Sequence, residues 1–186
     1  FKNAIVAKDY PKDDPDFNPD DIRFSCLRYA STRVANAMGP SWTDPRSGEI
    51  INGSVYFYHD VLKLLHNWSF IQTSTVEPAS RKEVYSAEQM GPLLRYLVHE
   101  IGHTLGLMHN MRSSYAYPVD SLRSKTFTDK YGTTPSVMDY ARYNYVAQPG
   151  DGVTWLLPPR LGVYDYFAIS WGYKPIFTAK TPKDEK

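Results

Sequence analysis

His99-Glu100-Ile101-Gly102-His103-Thr104-Leu105-Gly106-Leu107-Met108-His109-Asn110 is the stretch on which the reading of this chain turns. Residues four apart on an α-helix lie about 40° apart around the axis and about 6 Å apart along it. His99 and His103 can therefore reach one metal ion from one helix face. Glu100 follows the first of them, beside the ion without binding it, where a carboxylate suits the activation of a water. His109 does not fit a continued helix, on which it would lie about 9 Å beyond His103 and about 120° further round the axis. A Zn–N bond spans only about 2.0–2.1 Å. The chain must turn back sharply, and Gly106 can end the helix at positive φ with little steric cost. His-Glu-x-x-His alone arises by chance in roughly 0.5% of chains this size, and Gly and His at fixed offsets lower that by a further factor of roughly a thousand. Incidental histidines in an apolar helix would also be polar groups buried without partners.

Working outward, Leu93, Leu94, Leu97, Val98, Ile101 and Leu105 recur at helical spacing and are expected to face the core. Ser86 and Gln89 fit a capping box for this helix, and Gly91-Pro92 offers an alternative start. Upstream, Val61 to Phe70 reads as a helix with Val61, Leu62, Leu65 and Trp68 on one face. Ile22 to Tyr29 alternates like a strand. Asp44-Pro45-Arg46-Ser47-Gly48 is a turn joining two short extended segments, the second being Ser54 to Tyr58. Residues 1–9 read as the end of a helix. Residues 10–21 form a Pro- and Asp-rich surface loop; its carboxylates would suit a hard cation, but the ordered spacing of a calcium loop is missing. Past Asn110 the chain is loop-rich to about Pro149, with one or two short helices near 120–131. Pro158-Pro159 closes a loop, and Gly162 to Trp171 reads as a final helix stopped by Gly172.

Composition bounds the rest. A chain of 186 residues with 42% hydrophobic and 22% charged residues can fold around a real core. A net charge of +1 gives no reason to expect nucleic acid or a membrane surface as partner. No apolar run is long enough to span a bilayer. Cys26 is a single cysteine, so no intrachain disulfide is possible, and it is expected to be a small buried residue in a strand. The start at Phe1-Lys2-Asn3, without initiator Met or signal peptide, reads as a fragment of a longer protein.

The long histidine motif resembles the signature of the metzincins, zinc peptidases whose other mark is a methionine turn beneath the metal. Ser136-Val137-Met138-Asp139-Tyr140 looks like that turn, with Met138 as the apolar floor. Tyr140 stands where astacins and serralysins carry a tyrosine that helps stabilise the tetrahedral intermediate. Tyr164 to Tyr173 is similar to the C-terminal metzincin helix. Wider blocks at 44–50, 116–122 and 144–152 look like the metzincin domain of large exported Bacteroidetes metalloproteases. Asn110 departs from the Glu, Asp, Ser or Pro that follows the third ligand in astacins, adamalysins, matrixins and serralysins, and so withholds the branch.

The resemblance implies an α+β fold of the α/β metzincin type: a twisted, mostly parallel sheet with an antiparallel edge strand, an active-site helix, and a smaller loop-rich C-terminal lobe. One catalytic domain would fill 1–186, with its lobes meeting near 106. The chain would be exported and would bind one zinc ion through His99, His103 and His109. Glu100 would be the general base, Tyr140 an oxyanion donor, and Gly106 and Met138 structural parts of the site. The substrate would be a peptide or protein. Gly53 to Phe57 would be either an edge strand above the metal or an interior strand. Residues 111–137 and 141–143 would wall the pocket for the residue after the cut. His59 and His66 are read as surface or structural, and Asp139 and Asp165 as supporting or structural carboxylates. Two other classes stand beside the peptidase: a zinc-binding peptide or glycan module without turnover, against which the intact Glu100 speaks, and a zinc hydrolase of non-peptide amides or esters.

Overall fold

The structure, a computed structural model, describes residues 4–82, 95–157, 159–181 and 183–184. The expected capping box at Ser86 and Gln89, the alternative start at Gly91-Pro92, and Leu93 and Leu94 lie outside the described residues. Five short strands come first: β1 (Leu27–Ala30), β2 (Ala37–Met38), β3 (Ser41–Thr43), β4 (Ile50–Gly53) and β5 (Val55–Tyr58). Helices follow as α1 (Val61–Thr73), α2 (Arg95–Thr104), α3 (Val119–Leu122), α4 (Lys125–Tyr131) and α5 (Val163–Tyr173), with 3₁₀ turns at Pro78–Arg81 and Met111–Tyr115. The fold is mixed α+β, with small sheets and several helices.

The strands form two small sheets. β5 is the central strand of a three-stranded sheet in the order β1-β5-β2. β1 runs parallel to it, from Leu27 opposite Val55 to Ala30 opposite Tyr58. β2 runs antiparallel to it and forms one edge, and β3 and β4 pair antiparallel in a separate two-stranded sheet. The Asp44–Gly48 turn joins β3 to β4, as its composition predicts, and so tight a connection permits only antiparallel pairing.

The seam between sheet and helices holds the core. β5 alternates as a half-buried strand should, with Val55 and Phe57 buried and Tyr56 and Tyr58 partly covered. Phe57 packs with Val61 and Leu65 of α1, flanked by Ala37, Leu62, Trp68, Tyr96 and Leu97. Leu65 is fully buried, which contributes about 2–3 kcal/mol. This cluster fixes β5, α1 and the first turn of α2 against one another.

Five expectations are corrected. Residues 4–9 are exposed and not helical; a short exposed helix is marginal in water, and Pro11 disfavours helical backbone at Tyr10. The strand begins at Leu27, not Ile22, because the Ile22 and Phe24 carbonyls accept hydrogen bonds from the Asn52 side-chain amide, each at 2.9 Å, in place of a ladder. Cys26, just before β1, is half-buried. The final helix runs past Gly172 to Tyr173, whose hydroxyl donates to the Leu105 carbonyl at 2.7 Å and draws the last turn onto the end of α2. Within α2 the buried residues are His99 and Gly102, while Ile101 is 40% exposed rather than core.

Candidate metal centre

The end of α2 builds the site. The Gly106 N–H bonds the His103 carbonyl at 2.9 Å and the Leu107 N–H bonds the Gly102 carbonyl at 3.0 Å, a Schellman turn with Gly106 at φ +83°. The turn reverses the chain as expected of Gly106. It also delivers the Leu107 carbonyl to His103 Nδ1, 2.8 Å away. One ring nitrogen from each of His99, His103 and His109 then lies within 4.8 Å of the others. Among the described residues this is the group of histidine, cysteine or carboxylate side chains that can hold a metal ion; the acidic loop at 10–21 forms none.

The donor chemistry fits a divalent metal. His99 Nδ1 donates to the Val137 carbonyl at 2.6 Å and His103 Nδ1 to the Leu107 carbonyl. With the proton held on Nδ1, each Nε2 presents a lone pair. His103 Nε2 and His109 Nε2 lie 3.0 Å apart, a spacing at which two lone pairs need a proton or a cation between them. Burial pushes the pKa of His99 and of His109 down, which favours the neutral, ligating form. All three nitrogens face one cavity of about 490 Å³, leaving room for a further ligand.

Met138 packs against the helix that carries His99 and His103. Met138 is 2% exposed, and a Cβ on Gly102 would sit 2.3 Å from its sulfur. The Asn110 N–H donates to the Met138 carbonyl at 2.8 Å, so one turn binds both the residue after His109 and, through Val137, the His99 ring. The Tyr140 ring stands 4.4 Å from His109 and 5.6 Å from His99, centroid to centroid, and is exposed to the cleft. Glu100 lines the same cavity. Burial raises its pKa, while nearby His103 and the Gly39 backbone N–H pull it down.

A family model described as Met-zincin matches residues 82–186, more than half of the chain. The chain belongs to that family. Searches of curated proteins and of solved structures give no match. The Met-zincin family and the three-histidine cluster are together compatible with one zinc ion.

Several residues of this Met-zincin matter more to the site than the sequence reading allows. Asp165, 3% exposed, accepts from Ser136 Oγ at 2.6 Å, the Val137 N–H at 2.9 Å and the Gly162 N–H at 2.8 Å. It clamps the turn whose Val137 carbonyl orients His99. Asp139 is buried too, and takes the Ser114 N–H, Ser114 Oγ at 2.6 Å and the Ala141 N–H at 2.9 Å. Gly39 approaches α2 so closely that a Cβ there would lie 2.1 Å from the Glu100 carbonyl oxygen. A glycine inside a helix, as at Gly102, costs about 1 kcal/mol relative to alanine and so signals a packing reason; Gly39 has no local signal beyond its place before Pro40. Of the two readings of Gly53 to Phe57, the interior strand is the one found: β5 is interior, and β2 with Gly39 lines the cavity. Of residues 111–137 only Val137 lines it, beside Ala141 and Arg142, and α1 supplies much of the remaining wall. His59 and His66 lie outside the cluster.

Proposed function

We propose that this Met-zincin is a zinc-dependent endopeptidase that uses Glu100 as general base. The observation that carries the reading is the convergence of His99, His103 and His109 in one cavity with Glu100. A zinc ion on three neutral imidazoles supplies Lewis acidity toward a scissile carbonyl and lowers the pKa of a water toward ~7. The Nδ1 bonds to Val137 and Leu107 hold two of those imidazoles in the ligating tautomer. Glu100 takes the proton of the attacking water and passes it to the leaving amine. The Tyr140 hydroxyl donates to the carbonyl oxygen as charge develops there. β2 is bonded to β5 on one side, so its other edge can add an extended peptide as a further strand above the histidines.

The deciding experiment is Glu100→Gln. The variant keeps one zinc per chain by metal analysis, while hydrolysis of casein falls by about 10²–10⁴-fold, the usual worth of a general base. Undiminished hydrolysis in the variant refutes the mechanism. Zinc bound by the unmodified protein with no cleavage of any peptide refutes the peptidase reading itself.

A further inference from the structure

The cavity at the three histidines extends beyond what the chemistry needs. Its further walls are Val61, Leu64 and Trp68 of α1, Arg95 and Tyr96 at the start of α2, and Arg142 after the methionine turn. The apolar members alone would suit an apolar side chain. The two arginines change that.

Arg142 lies 3.7 Å over the Trp68 ring, and Arg95 lies 4.4 Å over the Trp155 ring. Neither forms an ion pair or a hydrogen bond with a carboxylate among the described residues, where the ion pairs engage Arg23, Arg28, Arg46, Arg123 and Lys125 instead. Arg160 also lies over the Trp155 ring, at 4.5 Å, so two cations crowd one indole. Burial and that neighbour both weigh against the Arg95 charge and lower its pKa. The aromatic faces offset part of this cost, but an anion would offset more. The cavity's own carboxylates are committed: Asp139 to Ser114 and Ala141, Glu100 to the Gly39 N–H beside the histidines. Arg142 is also held in place. Gln72 at the end of α1 accepts the Tyr143 N–H at 3.0 Å, which pins the backbone next to Arg142 against the helix that carries Trp68.

A guanidinium fork preset on an aromatic face is a good receptor for a carboxylate, which it can meet with two parallel hydrogen bonds. We propose that this cavity selects substrates with a Glu or Asp residue next to the scissile bond, its carboxylate held by Arg95 and Arg142. The proposal rests on the peptidase reading of the same site and names its substrate class.

The test is a peptide library with C-terminal amides, incubated with the zinc-loaded protein and analysed by mass spectrometry. Glu next to the cut is expected to be favoured over Gln by about tenfold, the size of one charge-assisted hydrogen bond in a partly exposed site. A parallel library of neutral peptides with free C-termini separates a side-chain carboxylate from a chain end; faster cutting there, next to the terminus, overturns the assignment to a side chain. Arg142→Glu is expected to move the preference from Glu to Lys, and Arg95→Gln to weaken it. Cleavage with no acidic preference, or a preference unmoved in both variants, overturns the proposal and leaves the peptidase reading standing. If no peptide is cut, the peptidase reading fails, and fluorescence anisotropy of labelled Glu and Gln peptides decides the pocket. Tighter Glu binding that Arg142→Glu abolishes supports it; equal binding overturns it.

Discussion

Replacing Asp165 tests whether the turn at Ser136–Tyr140 positions the histidines proposed to bind zinc or merely fills space beside them. Its two oxygens do different work: Oδ2 accepts both backbone N–H groups, from Val137 and Gly162, and Oδ1 accepts the Ser136 hydroxyl. Asp165→Asn can keep its one acceptor oxygen at the Oδ2 position and turn its amide toward Ser136. It loses the charge assistance and leaves the Ser136 proton without its acceptor, a cost of about 1–2 kcal/mol. Asp165→Ala strands all three donors in a site that is 3% exposed. At about 1–3 kcal/mol for each buried orphan, and with water entering the vacated space, the loss is about 4 kcal/mol. The Val137 carbonyl that orients His99 loses its support in Asp165→Ala, so zinc affinity is expected to fall by about 10–100-fold, against less than about threefold in Asp165→Asn. Urea denaturation of the apo protein gives the first quantity and competition with a chromophoric chelator the second. Asp165→Ala with wild-type zinc affinity, measured where it is folded, would falsify the idea that the turn orients the ligand.

Two further outcomes follow from the same geometry. Gly102→Ala gains about 1 kcal/mol of helix propensity, but its Cβ would lie 2.3 Å from the buried Met138 sulfur. A net loss of about 1–3 kcal/mol is expected in urea denaturation, and a stabilised variant would show that Met138 does not press on α2. In the apo protein His99 and His109 are expected to titrate below the ordinary histidine value of about 6.5, because burial disfavours their charge. The unfolded chain then binds protons first, so their stabilising contribution is complete above about pH 6.5 and is lost as pH falls through their folded values. Glu100, raised by burial, works in the opposite direction: its contribution is present below about pH 4.5 and is lost as pH rises through its folded value. NMR titration of the imidazoles checks the first two, and a His99 value above 6.5 refutes the burial account.

What the sequence made legible was local. The helix bearing His99 and His103 and the break at Gly106 follow from residue spacing and from the conformational freedom of glycine, neither of which needs knowledge of distant partners. α1 was legible for the same reason. What was hidden depends on pairs far apart in the chain. Asn52 takes the carbonyls of Ile22 and Phe24 and so shortens β1 from across 28–30 positions. Asp165 reaches Ser136 and Val137 across 29 and 28 positions. β2 is two residues long, too short for any alternation to announce, yet it and not β5 borders the cleft. Tyr173 overrides the stop expected at Gly172 because its hydroxyl finds Leu105, 68 residues earlier.

Gly39 carries one more consequence. With only a hydrogen where a Cβ would collide with the Glu100 carbonyl, the roof of the cleft and its floor meet backbone to backbone at Gly39. The height of the opening is thereby gauged by one missing methyl group. Any side chain at that point collides with the Glu100 backbone, so Gly39 leaves no room for redesign. New selectivity has to be sought sideways, in the span from Arg95 to Arg142, where the walls are side chains and can be exchanged.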